Sequence, residues 1–194
     1  MSPPRRQARP GRAGPRHEEA ILRATYDLVL DVGLQATTMD AIAERAGVSK
    51  VTLYKWWPNR AAIVMAAFLE HGRTALPYPD PVSPEQLRRQ LRRMAREFQG
   101  PTGRVIAELM AEGQYHPDIK AAFRDGYIGP RREEGVRIIR SAVDSGIIRD
   151  VEPHVALDLI YAPLYYRLLV GHGPLNGGFV DAHVDAVWRA LAAE

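Results

Sequence analysis

The chain is predicted to be all-α, and three observations carry that prediction. Apolar residues recur at helical spacing along most of its length; capping residues, prolines and glycines mark where each run begins and ends; and no segment shows the two-residue alternation of a strand. The expected organisation is a disordered Arg-rich arm over residues 1–16, a three-helix headpiece over 17–60, a connecting helix over 61–76 and a helical C-terminal domain over 77–194.

The arm is Pro, Gly, Ala and Arg without apolar periodicity, a composition that cannot bury a core. The first helix is expected from about His17 to Val32, with Ala20, Ile21, Ala24, Leu28 and Val32 as its apolar stripe and Gly33 as its end. Next comes the most informative stretch, Met39 to Trp57, which reads as two short helices joined by a tight turn. Ile42, Ala46, Val48 and Leu53 are apolar at helix-compatible spacing, and Ala43 is small enough for a second helix to cross over it. Gly47 stands at the turn, where a left-handed backbone is cheap for glycine. Thr37-Thr38-Met39-Asp40 has the form of a capping box with Thr37 as N-cap, and Ser49 caps the second helix.

Lys50, Val51, Thr52, Tyr54 and Lys55 lie at the exposed start of that second helix. Lys pairs with phosphate or guanine, Thr and Val methyls touch base edges, and a Tyr hydroxyl reaches phosphate. A helix-turn-helix presents such residues to the major groove. The competing reading is a helical hairpin whose polar residues are merely solvated.

Pro58 stops this helix and Asn59 caps the connecting one, whose apolar residues are Ala62, Ile63, Ala66, Ala67 and Leu69. Residues 76–84 hold four prolines and break the chain. Ser83 then caps a helix to Gln99, with Leu87, Leu91, Met94 and Phe98 on one side and an Arg-rich opposite face that reads as solvated surface. Helical patterning continues over 102–115 and 117–146, and Pro130 is expected to kink or divide the latter. Two apolar helices close the chain. Leu157, Tyr161, Leu164 and Leu168 form a stripe on the first, Val180, Val184, Val187 and Leu191 on the second. These eight are the expected homodimer interface, as half of a four-helix bundle; burial inside one subunit is the competing reading.

Composition bounds the function. There are no cysteines, so disulfides and thiolate metal sites are excluded, and a cytoplasmic location is compatible. No apolar run reaches the roughly 20 residues of a membrane span. The six histidines lack metal-ligand spacing and no nucleophile motif is evident, so neither an enzyme, a metal nor a cofactor is expected. Net charge is +3, but the five arginines of the arm account for it: without them 21 bases face 23 acids. DNA affinity therefore has to come from local placement of charge.

Residues Thr37 to Ser49, followed by Thr52-Leu53-Tyr54-Lys55-Trp56-Trp57-Pro58-Asn59-Arg60, closely resemble the TetR/AcrR family of bacterial transcriptional regulators. The likeness is strong over about residues 17 to 70, and Ala107–Glu112 and Ala162–Leu169 resemble one C-terminal subtype. The resemblance implies a homodimer on a palindromic double-stranded DNA operator, with a C-terminal domain that binds a small-molecule effector. Through the fourth helix, the effector would alter headpiece separation and release DNA. It implies phosphate contacts for Thr38, Tyr54 and Arg60, a groove-facing role for Lys50, Val51, Thr52 and Lys55 beside the capping Ser49, and an internal packing role for Trp57. Effector residues do not carry over between members; the candidates are Phe98, Met110, Phe123, Tyr127 and Tyr165. The alternative function is a helical effector-binding or protein-interaction dimer without DNA recognition.

Overall fold

The computed structural model describes residues 15–72 and 78–193; residues 1–14 of the predicted arm and 73–76 of the predicted connecting helix lie outside them, while Pro15 and Arg16, expected in the disordered arm, are helical. The described residues are helical and contain no sheet. The order is α1 (Pro15–Ala36), α2 (Met39–Ala46), α3 (Lys50–Trp56), α4 (Arg60–Gly72), α5 (Pro84–Gln99), α6 (Pro101–Glu112), α7 (Pro117–Phe123), a π-helical turn (Arg124–Ile128), α8 (Gly129–Asp144), α9 (Pro153–Val170) and α10 (Gly177–Leu191).

Helix α1 begins two residues before the expected start, on a proline whose fixed φ suits the first helical position. Gly33 breaks it with φ 79° and ψ 166°. Its inner face is Ile21, Leu22, Thr25, Leu28 and Val29, whereas Ala20 and Val32 of the expected stripe are exposed. Thr25 enters the core because its hydroxyl donates to the Ile21 carbonyl at 2.9 Å. The expected cap also moves by one residue. Thr38, not Thr37, caps α2, its hydroxyl accepting from Ala41 N at 3.1 Å. Thr37 is turned inward and donates to the Gly33 carbonyl at 2.7 Å, so its oxygen is already committed.

Two hydrophobic cores form. Ile21, Leu22, Leu28, Met39, Ile42, Ala43, Leu53 and Trp57 build the first, closed by Ile63 and Ala67 of α4. The second holds α5 to α10, and Ala61, Val64, Met65 and Phe68 of the same α4 belong to it. One 13-residue helix thus has a wall in each core.

The division near Pro130 falls upstream of it. Proline has no N–H for the carbonyl four residues back and its ring crowds that carbonyl, so the preceding turn widens into the π-helical Arg124–Ile128. The Arg face of α5 is partly a clamp: Arg88 pairs with Asp185, and Arg92 with Asp181 at 2.6 Å, both on α10.

The expected dimer stripe is corrected. Leu157, Leu164, Val180, Val184, Val187 and Leu191 are buried in the subunit's own core, with Tyr161 and Leu168 packed half-buried against it. The outward face of α9 is apolar too, with Val155, Leu159, Tyr166 and Leu169 exposed and Ala162 between them. Both stripes satisfy helical spacing, and the one richer in Leu and Val fills the core.

Leu164→Ala is accordingly expected to cost about 2–5 kcal/mol in urea unfolding, the range for a leucine removed from a packed interior. Gly103→Ala is a second expected lesion. A Cβ there would lie 1.9 Å from the Phe98 carbonyl oxygen, so α5 and α6 must separate, which thermal unfolding would register.

Candidate nucleic-acid interface and effector cavity

The reading unit starts with the turn. Gly47 takes φ 66° and ψ 32°, and its N–H and that of Val48 return to Glu44 and Ala43 carbonyls at 3.2 and 3.0 Å. Ser49 then caps α3, its Oγ accepting from Thr52 N at 3.1 Å and lying 2.9 Å from Thr52 Oγ1. Leu53 anchors α3 from below with no exposed surface, and Trp57 packs inside the headpiece, as expected. The anchoring forces the other side of α3 outward. Val51 is 81% exposed and Tyr54 54%, with Lys55 exposed beside them.

With Lys50 and Trp56 they make up the exposed surface of α3. Thr52 is half-buried with its hydroxyl engaged by Ser49, leaving its methyl as the outward group. Lys50 is exposed but paired with Asp40 at 2.8 Å, and that carboxylate raises its pKa by hydrogen bonding and by charge. Both groups are wet, so the pair is weak and phosphate can compete for the ammonium. Lys55 leans over the Trp56 ring, 5.9 Å from its centroid. Thr38 is exposed at the start of α2, with its hydroxyl used as the cap.

Arg60 is placed differently. Its guanidinium donates to the Leu34 carbonyl at 3.0 Å and pairs with Glu112 at the end of α6, both side chains about four-fifths buried. The other oxygen of Glu112 is buried and accepts no hydrogen bond from the described residues. Arg60 thus ties α1, α4 and α6 together, and the phosphate role implied for it is corrected. Next to it, Asn59 caps α4 through Ala62 N at 2.9 Å and donates to Asp118 of α7 at 3.2 Å. Neither cross-domain tie was readable in advance, because their partners stand 52 and 59 residues away in the chain.

The description "Bacterial regulatory proteins, tetR family" matches residues 21–67, and "Tetracyclin repressor-like, C-terminal domain" matches residues 84–187. The chain belongs to the TetR family. The HTH-type transcriptional regulator YdeS of Bacillus subtilis is 39% identical over 187 residues, which are 94% of each chain. The DNA-binding transcriptional repressor TetR of Mycobacteroides abscessus is 25% identical over 184 residues, 92% of this chain and 95% of that one. Among solved structures, the TetR family regulator SCO0332 superposes with a TM-score of 0.81 at 32% identity, covering 90% of this chain and 97% of that one. This TetR-family chain is therefore a helix-turn-helix transcriptional regulator and not an enzyme. No helix among its described residues is long and apolar enough to cross a membrane.

Of the five effector candidates in this regulator, Phe98, Phe123 and Tyr127 are buried core and Met110 is half-buried against it. Tyr165 borders a cavity of about 60 Å³. Its other walls include Tyr78, Tyr161, Leu157, Arg131 and Arg132, none of which periodicity singles out as a ligand residue. Arg131 stacks over Tyr78 at 5.3 Å and Arg132 pairs with Asp158 on α9 at 2.5 Å. Tyr161 donates to Gln90 at 2.6 Å. Burial pushes the Tyr78, Tyr161 and Tyr165 hydroxyls above the ordinary phenol range, which keeps all three neutral at pH 7. The cavity offers neutral hydroxyls and aromatic faces. The absent Cβ of Gly135 lets Leu157 and the Tyr78 ring close on α8, since one would sit 2.8 and 3.0 Å from them.

Two substitutions separate the surface from the tie. Lys55→Ala is expected to weaken DNA binding and, if the ammonium meets a phosphate, to lower the slope of log K against log salt by about 1. Arg60→Ala should leave that slope unchanged yet lose about 2–3 kcal/mol in denaturant unfolding, because the Glu112 carboxylate stays buried without its cation. Binding isotherms at several salt concentrations and urea titrations check the two.

Proposed function

We propose that the regulator is a homodimeric, ligand-responsive repressor of a palindromic double-stranded DNA operator. The observation that carries this is the outward face of α3, where Val51, Tyr54 and Lys55 are exposed beside the Thr52 methyl while Leu53 and the Ser49 cap hold the backbone rigid. Such a face fits a major groove, and a helical dimer without DNA recognition has no use for it. A repressor role is favoured by the name of the M. abscessus relative. A bacterial regulator of DNA works in the cytoplasm, where a chain without cysteines keeps its chemistry unchanged.

Dimerisation is assigned to the outer face of α9, where Val155, Leu159, Ala162, Tyr166 and Leu169 form an apolar stripe, paired with the same face of a second copy. Two-fold pairing would set the recognition helices about 34 Å apart, one turn of the double helix. The effector enters at the Tyr165 cavity. At about 60 Å³ that cavity holds water rather than a drug-sized molecule, so the effector binds a widened form, moves the tie through Arg60 and Glu112, and shifts α4. To release DNA it has to bind the DNA-incompetent arrangement more tightly than the competent one.

Footprinting on the DNA flanking its own gene tests the reading: one protected, two-fold symmetric segment is expected, and protection no better than on random DNA would refute it. Tyr166→Asp is expected to give a folded monomer by light scattering with weakened operator binding. A variant that remains dimeric would remove the outer α9 face from the assignment.

A further inference from the structure

A second, larger opening lies between α4 and α7, away from the Tyr165 cavity. It measures about 570 Å³, within the range that holds small organic ligands. Its floor is apolar and built from short side chains: Ala62, Met65 and Ala66 from α4 face Ala121 and Ala122 from α7. Those alanines leave the space between the helices unfilled. Its far wall is the π-helical turn, through Asp125 and Gly126. Widened turns of this kind cost helix stability and concentrate at functional sites.

The polar groups of this cleft share one sign. Asp118 and Asp125 line it, and no Lys or Arg among the described residues does. Asp125 is partly offset by Arg124 at 2.6 Å, while Asp118 receives the neutral amide of Asn59. An apolar trough rimmed by carboxylates, unlike the Tyr165 cavity with its Arg131 and Arg132, selects for positive charge.

We propose that the α4–α7 cleft is a second small-molecule site, which takes an apolar-bodied organic cation held by Asp118 and, secondarily, by Asp125. The body lies on the alanines and Met65, and the charge replaces the Asn59 amide at Asp118. Because its two walls belong to the helix that enters the headpiece core and to a helix of the C-terminal core, occupancy responds to the spacing between them. This goes beyond the operator reading and does not depend on it.

Methionine methyls supply the test on the full-length protein without DNA. Met65 borders the cleft and Met94 borders the Tyr165 cavity, so methyl-labelled methionine spectra report the two sites separately. The probes are tetraphenylphosphonium and tetraphenylborate, of the same shape and opposite charge. Tetraphenylphosphonium is expected to shift Met65 saturably, with an affinity about fivefold or more above that of the borate. Asp118→Asn, whose amide oxygen can still accept from Asn59, should bring the ratio towards one. Ala121→Trp, which fills the trough, should abolish the Met65 shift. Equal affinity for the two ions, a response confined to Met94, or no saturable shift at either methyl overturns the proposal. A Met94 response alone would leave the effector cavity standing and remove only this cleft.

Discussion

Everything in this regulator depends on α4 being packed in two cores at once. Ile63 and Ala67 close the headpiece while Ala61, Val64, Met65 and Phe68 belong to the larger bundle, so no rotation of the helix leaves both interfaces intact. Packed interiors resist continuous deformation, and a shared helix tends to move as a unit between discrete arrangements. The Arg60–Glu112 pair sits where that helix begins, and a buried carboxylate there demands its cation. The headpiece and the larger bundle are joined by packing and charge rather than by a loose tether.

The headpiece shows how little surface a reading head needs. Seven residues of α3 are held by Leu53 and a serine cap, and Lys50, Val51, Tyr54, Lys55 and Trp56 remain outward. Polar partners restrain several side chains: Asp40 on Lys50, Ser49 on Thr52, Glu112 on Arg60. The two openings of the body differ in the same chemical terms. One is ringed by neutral hydroxyls and arginines, the other by carboxylates over alanine.

Much of this was legible in the residues. Gly47, Ser49 and Pro58 punctuate locally, and local rules place the α2–α3 turn, the α3 cap and the end of α3 correctly. The cap of α2 was misplaced by one residue, because Thr37 and Thr38 are chemically alike and only the inward turn after Gly33 decides which one is free. On α9 the expected dimer stripe is the one that the subunit buries: Leu157 and Leu164 satisfy the same periodicity as the exposed Leu159 and Tyr166, and spacing does not reveal which side meets the core.

What the sequence by itself determined is what short-range physics controls: helices where apolar spacing and caps agree, a left-handed glycine in the turn, a basic and aromatic patch at the head of α3, and the TetR-family resemblance those residues carry. Tertiary structure decided everything requiring two distant segments to meet. Arg60 became a tie because Glu112 arrives beside it, Tyr165 became a cavity wall because Tyr78 and Arg131 close around it, and the cleft exists because alanines of α4 and α7 face each other. A side chain's type is written in the chain, but its partner depends on how the helices pack.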